Sequence, residues 1–232
     1  MINKYIDHTL LKAFATETEI EKLCNEAIQY DFKSVCVNPC NVKYAYGLLK
    51  DSDVLVCTVI GFPLGANTPE TKVYETLDAI KNGASEIDMV INIGKAKEHD
   101  YKYIENEISE VRRASLGKTL KVIIETCYLS NEEKAEVCRA AARAKADFVK
   151  TSTGFGTGGA TPGDIKLMKE NITEEMFVKA SGGIKTLDDC KRLIESGASR
   201  IGASSGVAII EQYLLEEKNK KWEKLVQLPI SK

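Results

Sequence analysis

A single-domain α/β fold is predicted for this 232-residue chain from three features of its sequence. Eight short β-rich runs alternate with longer helical patterns from one end to the other, and no linker interrupts them. Most of the runs are Val/Ile-rich without polar alternation, as expected for parallel strands buried on both faces. A doubly wound nucleotide-binding sheet would need Gly-x-Gly-x-x-Gly after the first strand, and the motif is missing there. The prediction is therefore a (β/α)8 TIM barrel, a fold for which this length is normal.

The elements follow one another in regular order along the chain. The predicted strands are Tyr5–Thr9, Ser34–Asn38, Val54–Ile60, Glu86–Asn92, Lys121–Thr126, Phe148–Thr153, Phe177–Ser181 and Arg200–Ala203. The clearest helical patterns are Thr18–Gln29, Pro69–Asn82, Tyr101–Ala114, Glu132–Lys145, Thr186–Glu195 and Gly206–Leu215. Helix starts are indicated by Thr16, Thr68 and Ser130, each at N-cap spacing. The barrel domain is predicted over residues 1–216, and residues 217–232 form a polar C-terminal tail that is not a separate domain.

Composition narrows the classes of partner. The formal net charge is −2 with both signs interspersed, so a nucleic-acid partner is not expected. No apolar run approaches the roughly 20 residues that span a membrane, so a membrane partner is not expected either. Seven cysteines without paired spacing, behind a start that lacks an apolar signal core, are typical of the cytoplasm. The chain has two histidines, His8 and His99, which is too few for a histidine-rich metal site, so no metal is predicted.

Charged residues inside the strand runs are the candidates for chemistry, since a lysine is seldom buried without a partner. Asp88, Lys150 and Lys179 interrupt strands four, six and seven. A structural alternative is an internal ion-pair network. The chemical interpretation is that one lysine attacks a carbonyl, the other lowers its pKa from about 10.4, and the carboxylate moves protons. Two lysines and one aspartate at similar depth favour the chemical interpretation.

Glycine-rich segments follow the last strands. Ser181-Gly182-Gly183-Ile184 comes after strand seven, and Gly202-Ala203-Ser204-Ser205-Gly206 opens the last helix. In barrels of this kind, backbone N–H groups at these two places commonly hold phosphate. A further run, Gly154–Gly159, lies shortly after Lys150. Glu125 and Cys127 end strand five, but no histidine is placed to activate the thiol, so they are interpreted as structural.

The same stretches resemble the deoxyribose-phosphate aldolase family along essentially the whole chain. The matching motifs are Ile6-Asp7-His8-Thr9-Leu10-Leu11, Val35–Pro39, Val59–Gly65, Glu86–Asn92, Phe148–Gly154, Val178–Gly183 and Arg200–Ser205. The resemblance implies a class I aldolase that needs no cofactor. It would cleave 2-deoxy-D-ribose 5-phosphate reversibly to D-glyceraldehyde 3-phosphate and acetaldehyde through a lysine Schiff base. The resemblance also implies a homodimer.

The resemblance also assigns roles by position. It places the Schiff-base lysine at Lys150, the proton-relaying aspartate at Asp88, and the pKa-lowering lysine at Lys179, which Asp7 would orient. Substrate and phosphate binding would fall on Thr153, Gly154, Gly182, Gly183, Gly202, Ser204 and Ser205. The chain ends without the C-terminal tyrosine of some members, so tail-mediated proton transfer is not expected. Two alternatives stay open: a related lysine-dependent lyase acting on another phosphosugar, and a barrel that senses a sugar phosphate without forming an imine.

Overall fold

Eight parallel strands close into one barrel in the order β1 to β8, and helices surround them. The computed structural model describes the backbone of residues 2–226 and the side chains of residues 2–220. The strands are β1 Ile6–Leu10, β2 Ser34–Val37, β3 Leu55–Ile60, β4 Glu86–Val90, β5 Thr119–Ile123, β6 Phe148–Lys150, β7 Phe177–Ser181 and β8 Arg200–Ala203. The predicted (β/α)8 TIM barrel is confirmed.

The helices include three short ones that the sequence patterns left without bounds. The helices are α1 Glu17–Gln29, α2 Val42–Leu49, α3 Pro69–Lys81, α4 Ile93–Lys97, α5 Tyr101–Ala114, α6 Asn131–Arg143, α7 Pro162–Glu170, α8 Leu187–Glu195 and α9 Gly206–Val226. The predicted tail begins at residue 217, inside α9, and residues 227–232 lie outside the described residues. Helices α2, α4 and α7 have five to nine residues, too few for a clear apolar period.

Local side-chain bonds fix the helix starts. Thr16 and Ser130 form the predicted capping boxes, each accepting a hydrogen bond from the N–H of a glutamate three residues later. Thr68 likewise accepts from the N–H of Thr71, and Pro69 occupies the first helical position. These bonds satisfy N–H groups that would otherwise be left free at the helix starts.

Strand β6 is shorter than its sequence suggests. The predicted range is Phe148–Thr153, but regular pairing ends at Lys150. Backbone bonding continues with one bond from the N–H of Thr151 to the carbonyl of Lys179, and side chains then take over: Thr151 donates its hydroxyl to the carbonyl of Ser181, and Ser181 donates its own to the carbonyl of Ser152. After Lys150 the chain leaves the barrel wall and forms the loop beside the barrel mouth.

The apolar core lies between the barrel and its helices, because strand side chains alternate between the two faces. Residues such as Ile87, Met89, Val149 and Val178 point outward into this core and are fully buried. The intervening residues point into the barrel. The inward set is unusually polar, and it contains the predicted site.

Candidate active site

A connected group of buried charged side chains fills the barrel interior. We call it the interior ion cluster; its members are Asp7 on β1, Glu86 and Asp88 on β4, Lys121 on β5, Lys150 on β6, Lys179 on β7 and Arg200 on β8. Each is at most 5% exposed. Because β4 and β8 lie on opposite sides of the barrel, the contact between Glu86 and Arg200 crosses its interior.

Asp88 is the centre of this cluster. Its Oδ2 accepts hydrogen bonds from the ammonium groups of Lys150 at 2.8 Å and Lys179 at 2.7 Å. Its Oδ1 accepts one from Lys121 at 2.8 Å. The three residues singled out from the sequence inside strands four, six and seven are therefore brought into direct contact, together with one further lysine.

The remaining contacts close a ring of ion pairs. The ammonium of Lys179 lies 2.5 Å from Asp7 Oδ2, and Arg200 binds both Asp7 and Glu86. Lys121 completes the ring with a 2.7 Å bond to Glu86. Asp7 thus contacts Lys179 as the family resemblance implied.

The strand register sets these positions. Lys150, Lys179 and Arg200 are register partners on adjacent strands, and Asp88 is likewise the partner of Lys121. Parallel neighbours in register point to the same face, so the three cations stand side by side inside the barrel. Gly202, next to this row, leaves room for it: a Cβ at this glycine would lie 3.2 Å from Lys179 Cε.

Multiple partners keep most of the cluster ionised. Burial acts to raise the pKa of Asp88, but Lys121, Lys150 and Lys179 outweigh it and hold that pKa well below its usual range. Burial acts to lower the pKa of Lys179, but Asp7 and Asp88 reverse the shift and raise it. Burial likewise opposes the charge on Lys121, and Asp88 contributes most to raising the pKa of that lysine. Lys179 and Lys121 are therefore fixed cations at neutral pH.

Lys150 differs from the other cations of the cluster. Lys121, Lys179 and Arg200 each contact two carboxylates, whereas Lys150 contacts Asp88 alone, which it shares with two other lysines. The cluster has four cations and three carboxylates, so its charges balance when one amine is neutral. Of the seven cluster members, all in the described part of the chain, Lys150 is the one that lines the cavity at the barrel mouth.

That cavity has a volume of about 270 Å³ and collects most of the residues predicted to bind substrate. It lies at the carboxyl ends of the strands, where barrel enzymes carry their sites. Its wall includes Thr153, Gly154, Gly182, Gly183, Gly202 and Ser204. Ser205 does not line this cavity; it lines an adjoining groove between α1 and α9, which Ser204 also lines.

Backbone geometry explains the glycines of the β7 loop. Gly182 and Gly183 have φ values of +86° and +78°, which side chains rarely tolerate. The N-terminus of α9 begins two residues after Ser204, on the other side of the cavity. The β7 loop and the residues just before α9 therefore line one cavity, and a helix N-terminus close to a cavity is suited to an anion.

Four charged residues near the site were not singled out from the sequence. Glu86 and Arg200 are the first residues of their strands, and Lys121 is the first residue of the predicted fifth strand. A charged residue at the beginning of a strand is common and was not treated as a candidate. The sequence signal that could have identified them is the alternation of strand side chains, because each lies an even number of residues from another position that points into the barrel. Lys12 lines the cavity as an additional cation at its mouth.

Glu125 has a defined structural part beside the cavity. It is 1% exposed and adopts a left-handed backbone with φ of +54°, unusual for a residue other than glycine. Its carboxylate accepts hydrogen bonds from the backbone N–H and the hydroxyl of Thr153. It therefore fixes the first residues of the loop after Lys150, and the nearby Cys127 is only 3.9 Å from it.

Buried lysines beneath a phosphate-compatible mouth in a (β/α)8 barrel are features expected of a carbon–carbon lyase of the aldolase class, and the comparisons with known proteins show that class. A model of DeoC/LacD family aldolases matches residues 1–212. The chain belongs to this DeoC/LacD aldolase family.

Its relatives are similar over nearly their whole length. A deoxyribose-phosphate aldolase from Thermoanaerobacter sp. (strain X514) is 60% identical over 91% of this chain and 96% of its own. One from Finegoldia magna (strain ATCC 29328 / DSM 20472 / WAL 2508) is 58% identical over 90% of this chain and 99% of its own. The enzyme class, an aldehyde-lyase, follows from these matches.

Solved structures share the fold. The aldolase QR15 superimposes with a TM-score of 0.89 at 41% identity, covering 93% of this chain and 97% of its own. A deoxyribose phosphate aldolase from Aeropyrum pernix, described as a unique tetramer, gives 0.83 at 33% identity, covering 91% and 90%. In the described part of the chain, no helix is both long and apolar enough to cross a membrane.

Proposed function

We propose that this aldolase cleaves 2-deoxy-D-ribose 5-phosphate reversibly to D-glyceraldehyde 3-phosphate and acetaldehyde, through a Schiff base on Lys150. The observation that carries the proposal is the position of Lys150. It is the surplus cation of the interior ion cluster, it contacts one shared carboxylate, and it lines the cavity. A lysine side chain that faces a substrate cavity is in the position that the nucleophile of a Schiff-base aldolase needs.

The first half of the reaction forms the imine. The unprotonated nitrogen of Lys150 attacks C1 of the open-chain sugar phosphate and gives a carbinolamine. The C1 hydroxyl of the carbinolamine takes up a proton and leaves as water, and the nitrogen lone pair forms the C=N bond of a protonated imine. The protonated imine carries the same charge as a protonated Lys150, and Asp88 is the carboxylate that contacts this nitrogen.

The second half breaks the carbon chain. The C2–C3 bond cleaves, its electron pair moves to the iminium as an enamine, and the C3 hydroxyl loses its proton as glyceraldehyde 3-phosphate forms. Protonation of the enamine carbon followed by addition of water releases acetaldehyde and restores the amine. The iminium accepts the electrons, so the reaction proceeds without a further cofactor.

The neighbours of Lys150 are assigned to proton handling and charge. Asp88, 2.8 Å from the Lys150 nitrogen, is placed to pass protons through a water during dehydration and cleavage. Lys179 supplies a fixed positive charge that disfavours a second ammonium beside it, and Asp7 orients Lys179.

The phosphate is assigned to the opposite side of the cavity. The loop containing Gly182 and Gly183 and the segment before α9 offer backbone N–H groups, with Ser204 between them and the sugar. Thr153 and Gly154 contact the middle of the substrate, and Lys12 adds a cation at the mouth. Ser205 is assigned a supporting part on the outer side of the same turn.

Reductive trapping tests this proposal. The protein is treated with sodium borohydride and 2-deoxyribose 5-phosphate, digested, and analysed by peptide mass spectrometry. The expected result is a reduced two-carbon or sugar-phosphate adduct on Lys150. An adduct on Lys179 would overturn the division of labour between the two lysines. No adduct in a folded protein that binds the sugar phosphate would favour a sensor over an enzyme with this mechanism.

Other expectations stay predictions. A homodimer and a cytoplasmic location are two of them. The division into a barrel domain over residues 1–216 and a tail over 217–232 is a third.

A further inference from the structure

Two cysteines stand side by side inside the barrel, next to the interior ion cluster. Cys36 on β2 and Cys57 on β3 are register partners, so both side chains point inward from neighbouring strands. Both are fully buried and free. They pack with Leu11, Val59 and Phe62 in a small apolar group at the barrel mouth, and Leu11 also lines the cavity.

Asp88 provides a third donor atom. The thiol of Cys57 lies 3.2 Å from Asp88 Oδ1, and one ligand atom from each of Cys36, Cys57 and Asp88 falls within 4.8 Å of the others. In a tetrahedral zinc site, bonds of about 2.3 Å to sulfur and 2.0 Å to oxygen imply a sulfur–oxygen separation of roughly 3.5 Å and a sulfur–sulfur separation of roughly 3.8 Å. The three side chains therefore need shifts of an ångström or less to share one ion.

From this geometry we infer that Cys36, Cys57 and Asp88 form an inhibitory site for a thiophilic divalent metal ion such as zinc or cadmium. Two sulfurs and one oxygen are a donor set that such ions favour over harder cations. The site shares Asp88 with the proposed reaction, but binding of the ion does not depend on the Schiff-base proposal.

Charge balance supports the site. A divalent ion that displaces two thiol protons leaves the net charge of the buried region unchanged, so the neighbouring lysines meet no additional charge. The hydrogen bond from Cys57, opposed by burial and assisted by Lys179 and Lys150, lowers the pKa of the Cys36 thiol. Burial, the Cys36 side chain and Asp88 raise the pKa of the Cys57 thiol, so the ion itself must displace that proton.

Inhibition follows from the use of Asp88. The carboxylate that would bind the ion is the one that holds Lys150, Lys179 and Lys121 in place. An ion bound there takes an oxygen from these ammonium groups, one of which belongs to Lys150 at the cavity wall. Turnover is therefore expected to fall when the metal binds.

Cadmium binding tests the site without reference to activity. The full chain, freed of metal and kept reduced, is titrated with CdCl₂ while the ultraviolet thiolate-to-cadmium charge-transfer band and the proton release are recorded. The expected result is one ion per chain with two protons released. Cys57→Ala and Cys57→Ser are each expected to weaken binding by at least about 100-fold, since even loss of an outer-shell partner can have that effect.

A matched control is available in Cys138. This free cysteine is also fully buried, but it lies on α6, outside the barrel interior. Cys138→Ala is expected to keep the band and its one-to-one stoichiometry. An unchanged titration in Cys57→Ser, or the lack of a band at one equivalent in the unmodified chain, would overturn the inference.

Activity then links binding to inhibition. One equivalent of ZnCl₂ is expected to remove most of the aldol cleavage by the unmodified chain, and EDTA should restore it. Inhibition that persists in Cys57→Ser relative to its own metal-free rate would place the inhibiting ion elsewhere and contradict the inference. Because cadmium binding is read directly, failure of the borohydride experiment and failure of this one remain distinguishable.

Discussion

Two regions of this molecule bury lysine beside carboxylate, and they behave differently. The interior ion cluster joins four cations to three carboxylates inside the barrel. Outside it, between the barrel and the helices, Lys72 on α3 and Glu107 on α5 form an isolated pair at 2.5 Å with both side chains fully buried. Lys72 also donates to the carbonyls of Gly65 and Val90, and Glu107 accepts from the N–H of Asn92.

The number of partners decides the direction of the pKa shifts. At the pair, burial outweighs the attraction of Glu107 and Glu75 for Lys72 and that of Lys72 for Glu107, so the pKa of Lys72 is lowered and that of Glu107 is raised. In the cluster, several opposite charges outweigh burial, so the pKa of Asp88 is lowered and that of Lys179 is raised. A buried lysine is therefore no sign of chemistry by itself. The sign is a cation in excess of its carboxylates that also faces a cavity, and Lys150 meets both conditions.

The largest difference between the two regions is expected from Lys150→Met. Turnover should fall by a factor of about 10⁴ to 10⁶, as when a nucleophile is removed. The free energy of unfolding should stay the same or increase, because the variant removes the surplus cation of a buried cluster. Steady-state kinetics and urea unfolding measure both. Strong destabilisation would show that Lys150 is a structural ion-pair member, like Lys72.

Lys179→Leu should affect both catalysis and stability. Turnover is expected to fall by roughly 10²- to 10⁴-fold and the pH–rate profile to move to higher pH, because the charge that disfavours a second ammonium is gone. Stability should also fall, because Asp7 and Asp88 lose a shared partner. Lys179→Arg, which keeps the charge, is the control and should leave the profile nearer that of the unmodified chain. An unchanged profile in the leucine variant would contradict this role.

Lys72→Met should have the opposite effect to Lys150→Met: a large loss of stability with the catalytic lysine still reactive. Loss of one partner from a buried pair costs about 3 to 5 kcal/mol, because Glu107 is left buried without its cation. The folded fraction should still form the borohydride adduct on Lys150. Urea unfolding and trapping on the same sample check this, and the double variant Lys72→Met/Glu107→Leu should recover part of the lost stability. Loss of trapping in folded protein would connect the pair to the site.

The smallest expected effect is the pH dependence at Glu107. Its pKa is raised in the folded chain above the ordinary 4.5, so its contribution to stability is greatest below pH 4.5 and declines as the pH rises through the folded value. Glu107→Gln should remove this decline, a change in the free energy of unfolding on the order of 1 kcal/mol. Asp88 titrates in the opposite sense: its contribution is present above pH 3.8 and declines as the pH falls through its lowered value. Urea unfolding of the unmodified chain and of Glu107→Gln from pH 4 to 8 measures how the free energy of unfolding of each depends on pH.

Much of the fold could be predicted because its signals are local. Strands β7 and β8 begin and end at the predicted residues, and the capping boxes at Thr16 and Ser130 fix helix starts within a few residues of chain. The end of β6 could not be predicted, because the bonds between Thr151 and Ser181 that replace its ladder join residues 30 apart.

Parts of the candidate site could likewise be predicted from local sequence signals. The alternation of strands and helices and the glycines that follow strands seven and eight were enough to predict a barrel with a phosphate-compatible mouth. Asp88, Lys150 and Lys179 stood out as charges inside apolar runs, and the family resemblance gave each a role. All three do meet in the structure, since both lysines lie within 2.8 Å of Asp88.

The sequence by itself thus determined the order of the elements, the barrel class and the identity of most site residues, because these depend on periodicity and neighbouring residues. Only the tertiary structure decided which charges share partners. Lys121 and Arg200 join the cluster, Ser205 lies apart from the cavity, and Cys57 meets Asp88. Barrel closure brings β4 against β6 and β7 across the interior, and electrostatic energy depends on those distances rather than on separation along the chain.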